Sequence, residues 1–176
     1  MKIVAILGPK DSYKTRVAEL LISKLSSAGL RVAGVKHLHH ASIDKAGKDT
    51  WRMAEAGARL VVAAGEGEVA MIKRVASFKL EEALKMIEGS ADVVIVEGFK
   101  GEAGLMEGAV KVLTARSVKE LEELLGFVRP PVAAVTGPVA KQLRSWRGAP
   151  VVDLDENPLE LVGLVARCAN LHLSSL

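Results

Sequence analysis

Residues 6–21 read "ILGPKDSYKTRVAELL". An apolar run, "KIVAIL" at 2–7, stops at Gly8. From Lys14 onward Val17, Ala18, Leu20, Leu21, Leu25 and Ala28 recur at helical spacing until Gly29 ends the pattern. "RVAGVKH" at 31–37 is the next apolar run. The order is strand, loop, helix, strand. At the first junction the pattern G-x-x-x-x-G-K-[ST] is met by Gly8, Lys14 and Thr15, with Tyr13 where a second glycine belongs. In that pattern backbone N–H groups and the positive end of a helix converge on phosphate. The lysine reaches the β/γ-phosphates and the hydroxyl sits on Mg²⁺.

Gly8, Pro9, Lys10, Asp11, Ser12, Tyr13, Lys14, Thr15 and Arg16 are therefore candidate phosphate-binding residues. Tyr13 is the obstacle. Glycine serves there because the backbone approaches the ligand closely. A side chain holding the same conformation costs about 1–3 kcal/mol, enough to weaken binding about ten- to a hundredfold without abolishing it. The phenol then points outward or covers the ligand. The other reading is an emptied turn that serves the fold alone.

Working outward, "ADVVIVEGF" at 91–99 is apolar on both faces, as a strand inside a parallel sheet is. It ends in Glu97. Ligands of open α/β sheets bind at the carboxyl edge, where a carboxylate binds Mg²⁺ through water or orients an attacking water. The plainer alternative is an acid that caps the next turn. "RLVVAAG" and "EVAMIKR" flank Gly65-Glu66-Gly67 as a hairpin, preceded by a helix from Asp49 as N-cap to about Ala56. Helices are expected at 79–89 and near 117–125, and strands at 109–115, 130–137 and 150–154. A last helix starts at Pro158 with Asn157 as N-cap. These alternations predict an α/β fold: a three-layer sandwich with a mostly parallel central sheet plus an antiparallel hairpin, as one domain over residues 1–176.

Composition bounds the function. Of 176 residues nearly half are apolar, only 3% are aromatic, and the formal charge is +3. The basic residues are interspersed with acids, so nothing supports a nucleic-acid surface. The single cysteine, Cys168, excludes an intrachain disulfide or thiolate cluster and reads as core packing. No apolar run reaches the ~18 residues of a membrane span, and "MKIVAILG" lacks the features of a signal peptide. A cytoplasmic protein is expected.

The segment 35–58, "VKHLHHASIDKAGKDTWRMAEAGA", gathers His37, His39 and His40. With Asp44 they are a candidate Zn²⁺ or Ni²⁺ site. Alternatively the histidines meet a phosphate or pterin-like anion, in a loop made basic by Lys36, Lys45 and Lys48.

Together these segments resemble a known family, the molybdopterin-guanine dinucleotide biosynthesis adapter proteins (MobB). The likeness rests on K-H-x-H-H at 36–40, D-x-x-G-K-D-[ST] at 44–50, A-G-A at 56–58 and E-G-F-K at 97–100. It covers roughly the first hundred residues. The resemblance implies a P-loop NTPase-like fold and a homodimeric GTP-binding protein that is a weak, slow GTPase at most. Such a protein assists the guanylyltransferase that joins GMP to the pterin of the molybdenum cofactor. Carried over, Gly8 to Thr15 bind phosphates, with Lys14 and Glu97 catalytic, and Thr15 and Glu97 serve Mg²⁺. Asp44, Lys48 and Asp49 lie near the γ-phosphate or the molybdopterin-type cofactor. Tyr13 departs from the family's usual glycine. No N-K-x-D motif reads guanine; "VTGPVAKQ" at 135–142 is the candidate for base contact. Two alternatives stand beside this reading: a non-hydrolysing scaffold with a degenerate loop, and a metal-delivery GTPase using His37, His39 and His40.

Overall fold

The run at 2–7 becomes β1 (Lys2–Leu7), which pairs in parallel with β5 (Val93–Glu97) on one side and β6 (Val110–Thr114) on the other. The computed structural model describes residues 1–38 and 42–173. Among the described residues β2 (Val32–Lys36) extends this sheet beyond β5, and β7 (Val132–Thr136) beyond β6. The order is β2-β5-β1-β6-β7, with every pairing parallel.

Side chains alternate between the two faces of a strand, and in this sheet both faces are apolar. Val4, Ile6, Val93, Ile95 and Val112 pack on one face with Val17, Leu21 and Leu25 of α1 (Lys14–Ser27) and Leu161, Val162 and Val165 of α6 (Pro158–Cys168). Ala5, Leu7, Val94, Val96 and Leu113 pack on the other. There they meet Leu80 of α3 (Leu80–Ile87), Ala103 of the short α4 (Lys100–Ala103) and Leu121 and Leu124 of α5 (Val118–Leu124). Each fully buried Val, Leu or Ile contributes about 1.5–3 kcal/mol, and this burial fixes three layers. Lys111 is a charged exception inside, in addition to the buried hydroxyls of Ser12, Thr114 and Thr136. It is fully buried, its ammonium donates to the Met106 carbonyl at 2.6 Å, and burial pushes its pKa down. Cys168 is half-buried against the core, as the apolar surroundings of the thiol suggest.

Residues Leu38–Lys79 form a second compact unit. It holds α2 (Asp49–Glu55) and an antiparallel hairpin of β3 (Leu60–Ala64) and β4 (Val69–Lys73). The Gly65 amide donates to the Glu68 carbonyl at 2.9 Å, and Gly67 supplies the positive φ of 80° that the turn needs. Val61 and Ala54 are buried, whereas Leu60, Val62, Val69 and Met71 are exposed.

Two expectations need correction. Residues 150–154 are not a strand of their own. Ala149–Pro150 (β9) pairs with Ser145–Trp146 (β8), and Val151 makes a parallel bridge to Val135. Asp153 ends the extended course: its carboxylate accepts from the Asp155 amide at 2.9 Å and its carbonyl from the Asn157 amide at 2.8 Å, which turns the chain into α6. Asp49 is not the N-cap of α2. Lys48 is, with extended backbone, and Asp49 falls in the first turn, where the helix dipole favours a carboxylate. Asn157 does occupy the N-cap of α6, but its side chain makes no capping bond. Among the described residues no helix is long and apolar enough to cross a membrane.

The amino ends of β2 and β5 are clamped together. Arg31 donates to the Asp92 carboxylate through its amide, Nε and Nη2 at 2.9, 3.2 and 2.7 Å. These bonds hold the Asp92 pKa at about 2, below the ordinary 3.8. A depressed carboxylate pKa stabilises the fold above the ordinary value and ceases to as pH falls through the folded value. Denaturant midpoints should thus show wild type ahead of Asp92→Asn at neutral pH, with the gap closing as pH falls from about 4 to about 2. A gap constant across that window would contradict this assignment.

Candidate functional site

Parallel strands end at one edge, so β1, β2 and β5 deliver Gly8, His37 and Gly98 side by side. A concave site of about 440 Å³ opens there, lined by the loop from Lys10 to Arg16 and by Glu97.

The loop is anchored from beneath. Ser12 is fully buried; its hydroxyl donates to the Pro9 carbonyl at 2.8 Å and shares a hydrogen bond with the Thr114 hydroxyl at 2.7 Å. Gly8 is glycine for steric reasons, because a Cβ would stand 2.1 Å from Thr114 Oγ1 and 2.7 Å from Ser12 Oγ. Gly137, after β7, has φ 98°, and a Cβ there would lie 2.9 Å from the Ser12 carbonyl. The 135–142 stretch thus supports the loop.

Tyr13 keeps the backbone that glycine would take, with φ 76° and ψ 15°, as the N-cap of α1. Tyr13 is 38% exposed, and the Arg16 guanidinium lies 5.4 Å from its ring centroid. Arg16 also pairs with Asp155 at 2.7 Å. Tyr13 and Arg16 both line the concavity, which stays open between them and Glu97. The Lys14 ammonium donates to the Pro9 carbonyl, folding the side chain back over the loop. Burial lowers its pKa, an effect that Glu97 opposes and Lys36 reinforces.

Thr15 and Glu97 meet. The Thr15 hydroxyl lies 3.2 and 3.1 Å from the two carboxylate oxygens. Neighbouring ligands of an octahedral Mg²⁺ at roughly 2.0–2.1 Å lie about 2.9 Å apart, so this pair fits a magnesium ion with little adjustment. Sequence reasoning overlooked the third member, Lys36, as a site residue. Its Nζ donates to Glu97 Oε2 at 3.0 Å and to Thr15 Oγ1 at 3.1 Å. The signal was the parallel register that sets Lys36 opposite Glu97, which pairs strands far apart in sequence.

The other candidates divide. His37 stacks on Phe99, with ring centroids 4.5 Å apart, and its amide donates to the Glu97 carbonyl at 2.9 Å. His39 and His40 lie outside the described residues. Asp44, Lys48 and Asp49 belong to the Leu38–Lys79 unit. Asp44 accepts from the Thr50 hydroxyl at 2.8 Å, and Asp49 faces Arg52 at 3.6 Å. Among the described residues no group of three or more His, Cys, Asp or Glu is placed to hold a metal ion. The described residues give the histidine metal centre of a delivery protein no support.

The sequence model described as "Molybdopterin guanine dinucleotide synthesis protein B" (MobB) matches residues 3–127. The chain belongs to the MobB family. Among its relatives, the molybdopterin-guanine dinucleotide biosynthesis adapter protein of Haemophilus influenzae is 37% identical over 103 residues, 57% of this chain and 58% of that one. The Escherichia coli adapter protein is 33% identical over 108 residues, covering 57% and 60%. The matches thus span less than two thirds of these relatives' length. Solved structures extend the likeness of fold to nearly the whole chain. Bacillus subtilis MobB superposes with a TM-score of 0.75 at 23% identity, over 96% of this chain and 98% of that one. The MobB homolog from Bacillus stearothermophilus gives 0.72 at 23% identity, over 97% and 99%.

Two substitutions separate steric from conformational need in the loop. Gly8→Ala drives a methyl into Thr114 and should cost about 3 kcal/mol or more. Tyr13→Gly relieves the left-handed backbone, worth about 1–2 kcal/mol, but gives back chain entropy and the ring–guanidinium contact. Its stability should stay within about 1 kcal/mol of wild type. Urea titration of both variants checks the contrast; a Tyr13→Gly loss as large as that of Gly8→Ala would refute it.

Proposed function

We propose that the chain binds GTP with Mg²⁺ in the Gly8–Thr15 turn and serves as an adapter in molybdopterin guanine dinucleotide biosynthesis, working beside a guanylyltransferase and a molybdopterin-type cofactor. The observation that carries this reading is the Thr15–Glu97 pair, 3.1–3.2 Å apart at the mouth of the concavity. Loop amides and the amino end of α1 favour an anion at that point. Lys14, held by the Pro9 carbonyl, exchanges that acceptor for a phosphate oxygen. A bound Mg²⁺ supplies charge neutralisation across the phosphates. Guanine preference and the adapter role are taken from the family's description and its relatives' names, molybdopterin guanine dinucleotide synthesis and biosynthesis adapter protein.

Hydrolysis is at best slow on this reading. Glu97, which lines the site together with Asp11, already accepts from Thr15 and Lys36. A carboxylate so engaged is a poor base for water. Tyr13 keeps a second reading in view, a scaffold that has lost nucleotide affinity, because its positive φ stores strain where the phosphates would approach.

The reading includes a homodimer. An isolated two-stranded hairpin is marginal in water, and one face of β3–β4 leaves Leu60, Val62, Val69 and Met71 exposed. A second copy covering that face removes the exposure. Light scattering should then report a dimer for wild type and a monomer for Val62→Lys/Met71→Glu; a monomeric wild type would contradict the dimer.

Calorimetry tests the nucleotide site. GTP should bind in the presence of Mg²⁺, Lys14→Ala should weaken it at least about tenfold, and Tyr13→Gly should change it less than that. Absence of binding at millimolar GTP would remove the proposal. Affinity that emerges only in Tyr13→Gly would establish the scaffold instead.

A further inference from the structure

The parallel register places Lys36, the last residue of β2, directly beside Glu97, the last residue of β5. The consequence is a three-atom cluster. Lys36 Nζ stands 3.0 Å from Glu97 Oε2 and 3.1 Å from Thr15 Oγ1, while those two oxygens are 3.1 Å apart. The Glu97 side chain is 12% exposed, against 48% for Lys36. A mostly covered carboxylate is thus neutralised by an amine that reaches in from solvent. Lys14, another ammonium at the site, is engaged with the Pro9 carbonyl.

We infer that Lys36 is a built-in cation of this site: in the nucleotide-free protein its ammonium takes the two oxygens a divalent ion needs and bars that ion until nucleotide arrives. The inference rests on the reading of Thr15 and Glu97 as the metal pair. An ion at roughly 2.0–2.1 Å from both oxygens would lie within about 4 Å of the ammonium from whichever side it approached. At that separation, beside a largely covered carboxylate, like charges repel strongly. One of the two cations must leave. An isolated divalent ion gains only one carboxylate and one hydroxyl, poor compensation for displacing a salt bridge. An ion carried by a triphosphate changes the balance, since phosphate oxygens complete its coordination and offer the freed ammonium a new anionic partner. Metal and nucleotide are then positively coupled, and the coupling resides in one flexible side chain.

Mn²⁺ alone, titrated without nucleotide and read by electron paramagnetic resonance, is the direct probe. The proteins are wild type, Lys36→Met, Lys36→Gln and Lys36→Met/Glu97→Gln, each checked for an intact thermal transition. Both single variants should bind one Mn²⁺ at least about tenfold more tightly than wild type, and Glu97→Gln should erase the gain. Equal affinity in wild type and the single variants, a gain that survives Glu97→Gln, or no binding by the single variants up to millimolar Mn²⁺ would each overturn the inference. GTP binding by wild type, measured alongside, separates the two claims. If GTP binds but Mn²⁺ affinity is unchanged, only the role of Lys36 falls. If Mn²⁺ affinity rises but GTP never binds, Lys36 keeps its role and the nucleotide reading falls.

Discussion

Everything at the site depends on the alignment of parallel strand ends. Because β2, β5 and β1 run the same way, their carboxyl termini share one edge, and residues distant in sequence arrive together. Lys36 comes from β2, Glu97 from β5 and Thr15 from the helix that follows β1. The sheet itself is held by apolar packing on both faces, with Val and Ile alternating between the two cores. A one-residue slip of β5 would exchange those faces and turn Glu97 away from its partners. The same packing that fixes the register therefore fixes the charges.

Strain and support are divided within the loop. Gly8 is dictated by the sheet beneath it, where Thr114 leaves no room for a Cβ. Tyr13 instead bears a backbone that suits glycine and offsets part of that cost through the Arg16 contact. Ser12, buried between Pro9 and Thr114, ties the loop to β6 whatever occupies the concavity above. The architecture is thus insulated from the tyrosine, and only ligand approach feels it.

Much of this was legible in the amino-acid order, for identifiable reasons. Strands at 2–7 and 91–99 are apolar on both faces, which few other environments tolerate, and the Gly65-Glu66-Gly67 turn marks its hairpin. An acid at the carboxyl edge was legible at Glu97, while its pairing with Thr15 was implied by the family resemblance. Lys36 was read only as part of a basic loop and not as a partner of Glu97, because strand order, β2 beside β5, is not written in local spacing. The extended course at 150–154 misled because Asp153, an ordinary polar residue in the run, diverts both its side chain and its carbonyl into a turn. The four residues of α4 are too few to show a period. The stacking of His37 on Phe99 could not be read from its neighbours in sequence.

The central claim is that an aromatic residue in a glycine position leaves the loop able to take a triphosphate. A crystal structure of the protein with a non-hydrolysable GTP analogue and Mg²⁺ tests it most directly. The account requires phosphate oxygens along the amides from Gly8 to Thr15, Lys14 turned from Pro9 toward them, and the metal on Thr15 and Glu97. A loop without nucleotide at saturating analogue, or the Tyr13 ring lying in the cradle, would contradict it.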